Sequence, residues 1–111
     1  MVAGSAIVVT YNSAGQITAC LEALRNEGGW QRIVVDNASQ DDTVERAHKA
    51  DPAASVLTNA KNIGFAAAAN KGARLASGRI LLFLNPDAIA QPGALDALSK
   101  ELEQEGVGAV G

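Results

Sequence analysis

RILLFLNPDA, residues 79–88, is an apolar run that ends abruptly on Asn85-Pro86-Asp87. A short apolar run without alternation reads as a strand buried on both faces, as in a parallel sheet. Pro86 fixes its own φ and restricts Asn85, so the run stops at a rigid corner that presents the Asp87 carboxylate. An ordinary turn explains the proline. A ligand explains the aspartate as well, and on these residues alone both readings stand.

Working outward, three more runs share this character: AIVVT (6–10), RIVVD (32–36) and SVLTN (55–59). Helical patterns separate them. The first is expected over 14–27, with Ser13 as N-cap and Ile17, Cys20, Leu21 and Leu24 on one face. The second starts near Asp41 or Asp42 and runs to Asp51-Pro52. The third, alanine-rich, covers 65–76, and the fourth follows Gln91-Pro92-Gly93 and ends near Gly106. VGAVG, 107–111, reads as the start of a fifth strand, and the chain is expected to be the first part of something longer. Alternating apolar strands and helices predict one α/β domain, a three-layer Rossmann-like arrangement with a mostly parallel sheet and helices on both faces.

Bulk properties agree. With 111 residues and 48% apolar side chains the chain can build one core, and its few aromatics suit close packing of helices on a sheet. A net charge of −3 gives no basic surface for nucleic acid or an anionic membrane. No apolar run is long enough to span a bilayer, so a cytoplasmic location is expected, peripheral to a membrane only through parts outside this chain. Cys20 is the only cysteine, which rules out an intrachain disulfide and reads as a buried structural thiol. His48 reads as a solvated surface residue, and Trp30 as a cap on the core in the turn before the second strand.

Ligands of open α/β sheets bind outside the carboxyl ends of the strands. Those ends here carry Thr10-Tyr11-Asn12-Ser13, Asp36-Asn37-Ala38-Ser39, Asn59 to Gly64, and Asn85-Pro86-Asp87. Asp36 is placed to accept from a base N–H or a ribose hydroxyl, or simply to cap a helix. The turn after the first strand, TYNSAG, lacks G-x-G-x-x-G, and no G-x-x-x-x-G-K-[ST] occurs, which disfavours NAD and P-loop chemistry. Asp87 suits a hard divalent cation that takes its remaining ligands from substrate phosphates. Phe65 and its neighbouring alanines read as close helix–sheet packing, and Lys61, Lys71 and Arg74 as solvated charges or phosphate contacts.

VVTYNS, IVVDNASQDDT, NIGFAAAANKGARLASG and ILLFLNPDA, in this order and spacing, resemble glycosyltransferase family 2 and look most like its rhamnosyltransferase-like branch. The resemblance covers nearly the whole chain. It implies a GT-A fold whose N-terminal half binds a nucleotide-diphosphate sugar, a dTDP- or UDP-sugar such as dTDP-rhamnose, for cell-surface polysaccharide biosynthesis. By position, Thr10, Tyr11 and Asn12 would line the nucleoside pocket, and Asp36 would contact the base, with Asn37 and Ser39 shaping that loop. Asn62, Gly64, Asn70 and Gly72 match the N-x-G…N-x-G pattern that borders the nucleotide. Asn85 and Asp87 stand where the family carries D-x-D, and Asp87 would hold Mg2+ or Mn2+. Inverting hexosyl transfer is implied. The catalytic base is expected downstream of Gly111, so the chain is expected to bind donor and to transfer poorly alone. A non-catalytic nucleotide-binding module and a flavodoxin-like signalling domain are the alternatives, and an unpaired sheet edge would favour a homodimer.

Overall fold

Seven consecutive residues, Gly4–Thr10, are buried without exception, as expected of a strand covered on both faces. The computed structural model describes residues 4–105 and 109–110. This first strand, β1, is followed by α1 (Ile17–Arg25), β2 (Trp30–Asp36), α2 (Thr43–Ala50), β3 (Ser55–Thr58), α3 (Phe65–Leu75), β4 (Ile80–Leu84), α4 (Ala94–Glu105) and β5 (Ala109–Val110). The strands form one sheet in the order β3-β2-β1-β4-β5, and every pair is parallel.

Alternate residues of β1 point to opposite faces and so belong to two cores. Ala6 and Val8 pack with Val34 under Ile17, Cys20, Leu21 and Leu24 of α1, Ala47 of α2, and Leu95 and Leu102 of α4. Ile7 and Val9 pack with Ile33 and Val35 under Ala68 and Ala69 of α3. The change of face has a cause in chain direction. β1 to β2 and β2 to β3 step one way along the sheet, whereas β3 to β4 steps back across β1. A right-handed crossover then puts α3 on the other side.

Several boundaries differ from expectation. α1 begins at Ile17 rather than at 14, because Ala14–Gln16 form a turn in which both Gln16 and Ile17 donate to the Ser13 carbonyl at 3.0 Å. The Ser13 hydroxyl donates to the Tyr11 carbonyl and caps nothing. Trp30 is the first residue of β2 and lies buried in the core, so its indole is part of the sheet packing. Of the expected fifth strand, Ala109–Val110 pairs with β4, and the rest lies outside the described residues. Cys20 is buried and His48 exposed, as read. Phe65 is the clearest miss. It is 51% exposed, while Ala68, Ala69 and Gly72 make the close contact with the sheet.

Gly72 shows how close that contact is. A Cβ there would lie 2.6 Å from Ile7 Cγ2 and 3.1 Å from Val35 Cγ2, both on stiff, buried, β-branched side chains. Gly72→Ala should gain about 1 kcal/mol of helix propensity and lose about 2–3 kcal/mol to overpacking. The expected net loss is about 1–2 kcal/mol, read as a lower urea midpoint. An unchanged or higher midpoint would mean that α3 lifts from the sheet without cost.

Candidate functional site

The carboxyl ends of the four long strands lie on one edge, and the connecting loops there are joined to one another by side chains. Asn12 adopts a left-handed backbone, φ 48°, which asparagine tolerates. From it the Asn12 amide donates to Ser39 Oγ, and the Asn12 side-chain oxygen accepts from the Gln40 amide, both at 2.8 Å. The Ser13 amide donates to Thr43 Oγ1 at 2.8 Å, and the Ala14 amide to Asp41 Oδ2 at 3.3 Å. Four hydrogen bonds thus hold the loop after β1 to the loop after β2 and to the first residue of α2. Ala38, between Asn37 and Ser39, also has positive φ (62°), costing about 1–2 kcal/mol that these bonds must offset.

Asp36 organises this region from below. It is 2% exposed. Its Oδ1 accepts from Thr10 Oγ1 at 2.7 Å and Ser39 Oγ at 2.6 Å, and its Oδ2 accepts from the Ser39 amide at 2.9 Å. Thr10, fully buried, is therefore also beneath the surface rather than on it. Asn37 is buried as well. Its Oδ1 accepts from Asn59 Nδ2 at 2.9 Å and the Ile63 amide at 3.3 Å, and its Nδ2 donates to the Gly64 carbonyl at 3.2 Å.

Asp41 lies two residues before the first residue of α2. Its Oδ1 accepts from both the amide and the hydroxyl of Thr43, and those bonds, the hydroxyl one foremost, hold its carboxyl below the ordinary aspartate range. A depressed folded value contributes stability that is present above the unfolded value of about 3.9 and lost as pH falls through the folded one. A carboxyl 13C NMR titration should find the Asp41 midpoint below the ordinary range. A midpoint at or above that range would mean Thr43 does not hold it.

Between β1 and β4 lies a cleft of about 280 Å3 lined by Tyr11, Asn12, Ser13, Gln16, Asn85, Pro86 and Asp87. This is where strand order reverses, since β2 and β3 lie to one side of β1 and β4 to the other. Such switch points are where open α/β sheets bind ligands. Asn85 and Asp87 are exposed at the corner that Pro86 rigidifies. Below it, burial first and the Asp87 carboxylate second push the Cys20 thiol up to about 11, so that thiol is inert packing. Larger cavities exist, notably an outer groove between α1 and α2, but it has no strand end in it.

Of the residues singled out in the sequence, Tyr11, Asn12, Asn85 and Asp87 line the cleft, and Thr10, Asp36, Asn37 and Ser39 support it from beneath or beside. Asn62 accepts from the Gly64 amide at 2.9 Å, closing the turn into α3. Gly64 has φ 84° and ψ 168°, a conformation essentially confined to glycine. Asn70 lines a second, apolar groove of about 450 Å3 with Phe65, Ala66, Ala69, Phe83 and Asn85, the last of which also lines the cleft. Lys71 is exposed, as read, and its ammonium also donates to Asn59 Oδ1 at 2.9 Å. Gln16 was missed, because it stands at no position that spacing distinguishes, and Asn59 was read only as the polar end of the third strand.

Asp87 also bears on whether a divalent cation fits. Among the described residues no group of three or more His, Cys, Asp and Glu converges. One exposed carboxylate beside neutral amides does not make a closed cage. It does fit a hard cation that draws most of its oxygens from phosphates and water.

Residues 5–111 match the family described as Glycosyl transferase family 2. An uncharacterized glycosyltransferase of Haemophilus influenzae is 32% identical over 102 residues, covering 90% of this chain and 34% of the relative. The structure of TarS from S. aureus in complex with UDP aligns with a TM-score of 0.81 at 26% identity, covering 90% of this chain and 32% of that one. The mannosyltransferase PcManGT from Pyrobaculum calidifontis, in complex with GDP-Man and Mn2+, aligns with a TM-score of 0.77 at 27% identity, covering 89% and 31%. The chain spans about a third of the length of the curated relatives it matches. With the family matched over nearly all its length and the parallel sheet and strand-end cleft in place, this chain belongs to glycosyl transferase family 2.

Proposed function

We propose that this chain is the donor-binding part of an inverting glycosyltransferase that uses a nucleoside-diphosphate sugar. The observation that carries the reading is the exposed Asp87 facing Tyr11 and Asn12 across the switch-point cleft. Neighbouring strands lie about 4.8 Å apart, so the ends of β2 and β4 flank Thr10 within about 10 Å, the scale of a nucleoside diphosphate. The nucleoside rests on the Tyr11–Asn12 side, with the buried Asp36–Ser39 bracket holding that wall in place. The diphosphate lies toward Asn85 and Asp87.

Mg2+ or Mn2+ bound at Asp87 would supply Lewis-acid stabilisation of charge on the departing nucleoside diphosphate. The chain's own part is to orient the donor: Asp87 fixes the position of that charge, and Asn85 offers a neutral amide oxygen beside it. Asn85 in place of a second acid, together with the motifs quoted above, favours a rhamnosyltransferase-like enzyme with a dTDP-sugar donor. The general base for the acceptor hydroxyl is assigned to none of these residues, so the purified chain is expected to bind donor without turning it over. The similar solved structures that hold UDP, or GDP-Man with Mn2+, support the donor class.

Calorimetric titration of UDP, dTDP and GDP into the purified chain, with and without Mn2+, tests the reading. Binding that requires Mn2+ is expected, with dTDP or UDP preferred. A folded chain that binds none of the three in Mn2+ would sink it.

A further inference from the structure

We propose that Lys71 and Asn59 are positioning residues for the nucleotide cleft, acting through Asn37; this rests on the donor-site reading above. A chain of hydrogen bonds with one direction links these residues. The Lys71 ammonium donates to Asn59 Oδ1 at 2.9 Å, Asn59 Nδ2 donates to Asn37 Oδ1 at 2.9 Å, and Asn37 Nδ2 donates to the Gly64 carbonyl at 3.2 Å. An ammonium can only donate, so it admits one orientation of the Asn59 amide. That orientation in turn requires Asn37 to accept from Asn59, leaving its NH2 for Gly64. The far end demands the same arrangement, because the Ile63 amide also needs Asn37 Oδ1, at 3.3 Å.

Both asparagines are nearly closed to water, 3% exposed for Asn37 and 8% for Asn59, so a reversed amide would leave buried groups unpaired. The cation at the head of the chain strengthens each following bond. Four elements are joined by it: α3 through Lys71, the end of β3 through Asn59, the end of β2 through Asn37, and the turn into α3 through Ile63 and Gly64. Gly64 itself is held in its glycine-only conformation by this anchorage and by Asn62.

Asn37 passes the constraint to the cleft. Its backbone amide donates to the Thr10 carbonyl at 2.8 Å, one residue before Tyr11. Two residues on, Ser39 Oγ accepts from the amide of Asn12, which lines the cleft. A shift of Asn37 therefore moves the wall on which the nucleoside rests. Lys71 never touches the ligand.

Lys71→Met removes the charge and keeps most of the stem, and Lys71→Arg restores a donor-only cation. Each is compared with the unaltered chain by UDP titration in Mn2+, by NMR hydrogen exchange at the Ile63 amide, and by urea unfolding. Lys71→Met should weaken UDP binding about tenfold and speed exchange at Ile63, with only a small change in the urea midpoint. Lys71→Arg should restore most of both. Weakened binding with Ile63 exchange unchanged would mean that Lys71 meets the diphosphate directly, and the relay would be overturned. Unchanged binding and exchange in Lys71→Met, or no recovery in Lys71→Arg, would overturn it as well. If the unaltered chain binds no nucleotide, the donor-site reading falls and takes this role with it, whatever Ile63 does. If it binds and only the variants fail to differ, the donor site stands and the relay alone is wrong.

Discussion

Arg32→Met is expected to lower the unfolding free energy by about 3 kcal/mol, the usual cost of stranding one partner of a buried ion pair. Asp51 is fully buried, and Arg32 grips it with two bonds, Nε to Oδ2 at 2.6 Å and Nη2 to Oδ1 at 2.8 Å. The Asp51 bond, ahead of the opposing effect of burial, raises the Arg32 pKa further. Methionine keeps much of the stem's packing but leaves a carboxylate without its main partner. Among the described residues only the Ala53 amide at 3.3 Å and Arg25 Nε at 3.8 Å remain near it. For a domain of this size the melting temperature should fall by roughly 12 °C. Adding Asp51→Leu to Arg32→Met should recover most of the loss, because the penalty comes from the unpaired charge rather than from lost attraction. A fall of under about 1 kcal/mol would show that Arg25 swings in as a substitute.

Asp87→Asn is expected to abolish the Mn2+ dependence of nucleotide binding and to weaken binding in Mn2+ by about 10- to 100-fold, the worth of one charge-assisted contact. The side chain is exposed at a corner whose backbone Pro86 sets, and it makes no side-chain hydrogen bond or ion pair among the described residues. Stability should therefore stay within about 0.5 kcal/mol. Asn85→Asp supplies the converse: a second carboxylate at the same corner should tighten Mn2+ binding. Calorimetry of both variants with UDP decides the matter. Retained metal dependence in Asp87→Asn would move the cation elsewhere and remove the central assignment of the donor site.

Much of the architecture was legible in advance. Strand identity came from unbroken apolar runs, and the core face of α1 from Ile17, Cys20, Leu21 and Leu24 at helical spacing. The cleft's Tyr11, Asn12, Asn85 and Asp87 were legible because strand ends are where such folds bind ligands. Phe65 was misread for the opposite reason. An apolar aromatic at the start of an alanine-rich helix looks like core, yet on this face α3 stands over β1 and β2, and Phe65 lies beyond them.

Sequence by itself determined the elements, their order and the edge that carries the polar residues. Those properties depend on neighbours within one helical turn or two strand positions, and so they leave a period in the string of letters. Tertiary structure alone decided which polar groups meet. Arg32 and Asp51 are 19 residues apart, Lys71 and Asn59 12, Asn12 and Ser39 27. Glu27, two residues past the end of α1, accepts from the amides of Gly93, just before α4, and Leu95, in its first turn, 66 and 68 residues on. Such partners are set by strand order, register and the face to which each crossover goes. None of these has a local signature, yet they decide that Asp36 and Asn37 lie buried and hydrogen-bonded while the Asp87 carboxylate stands exposed at the cleft.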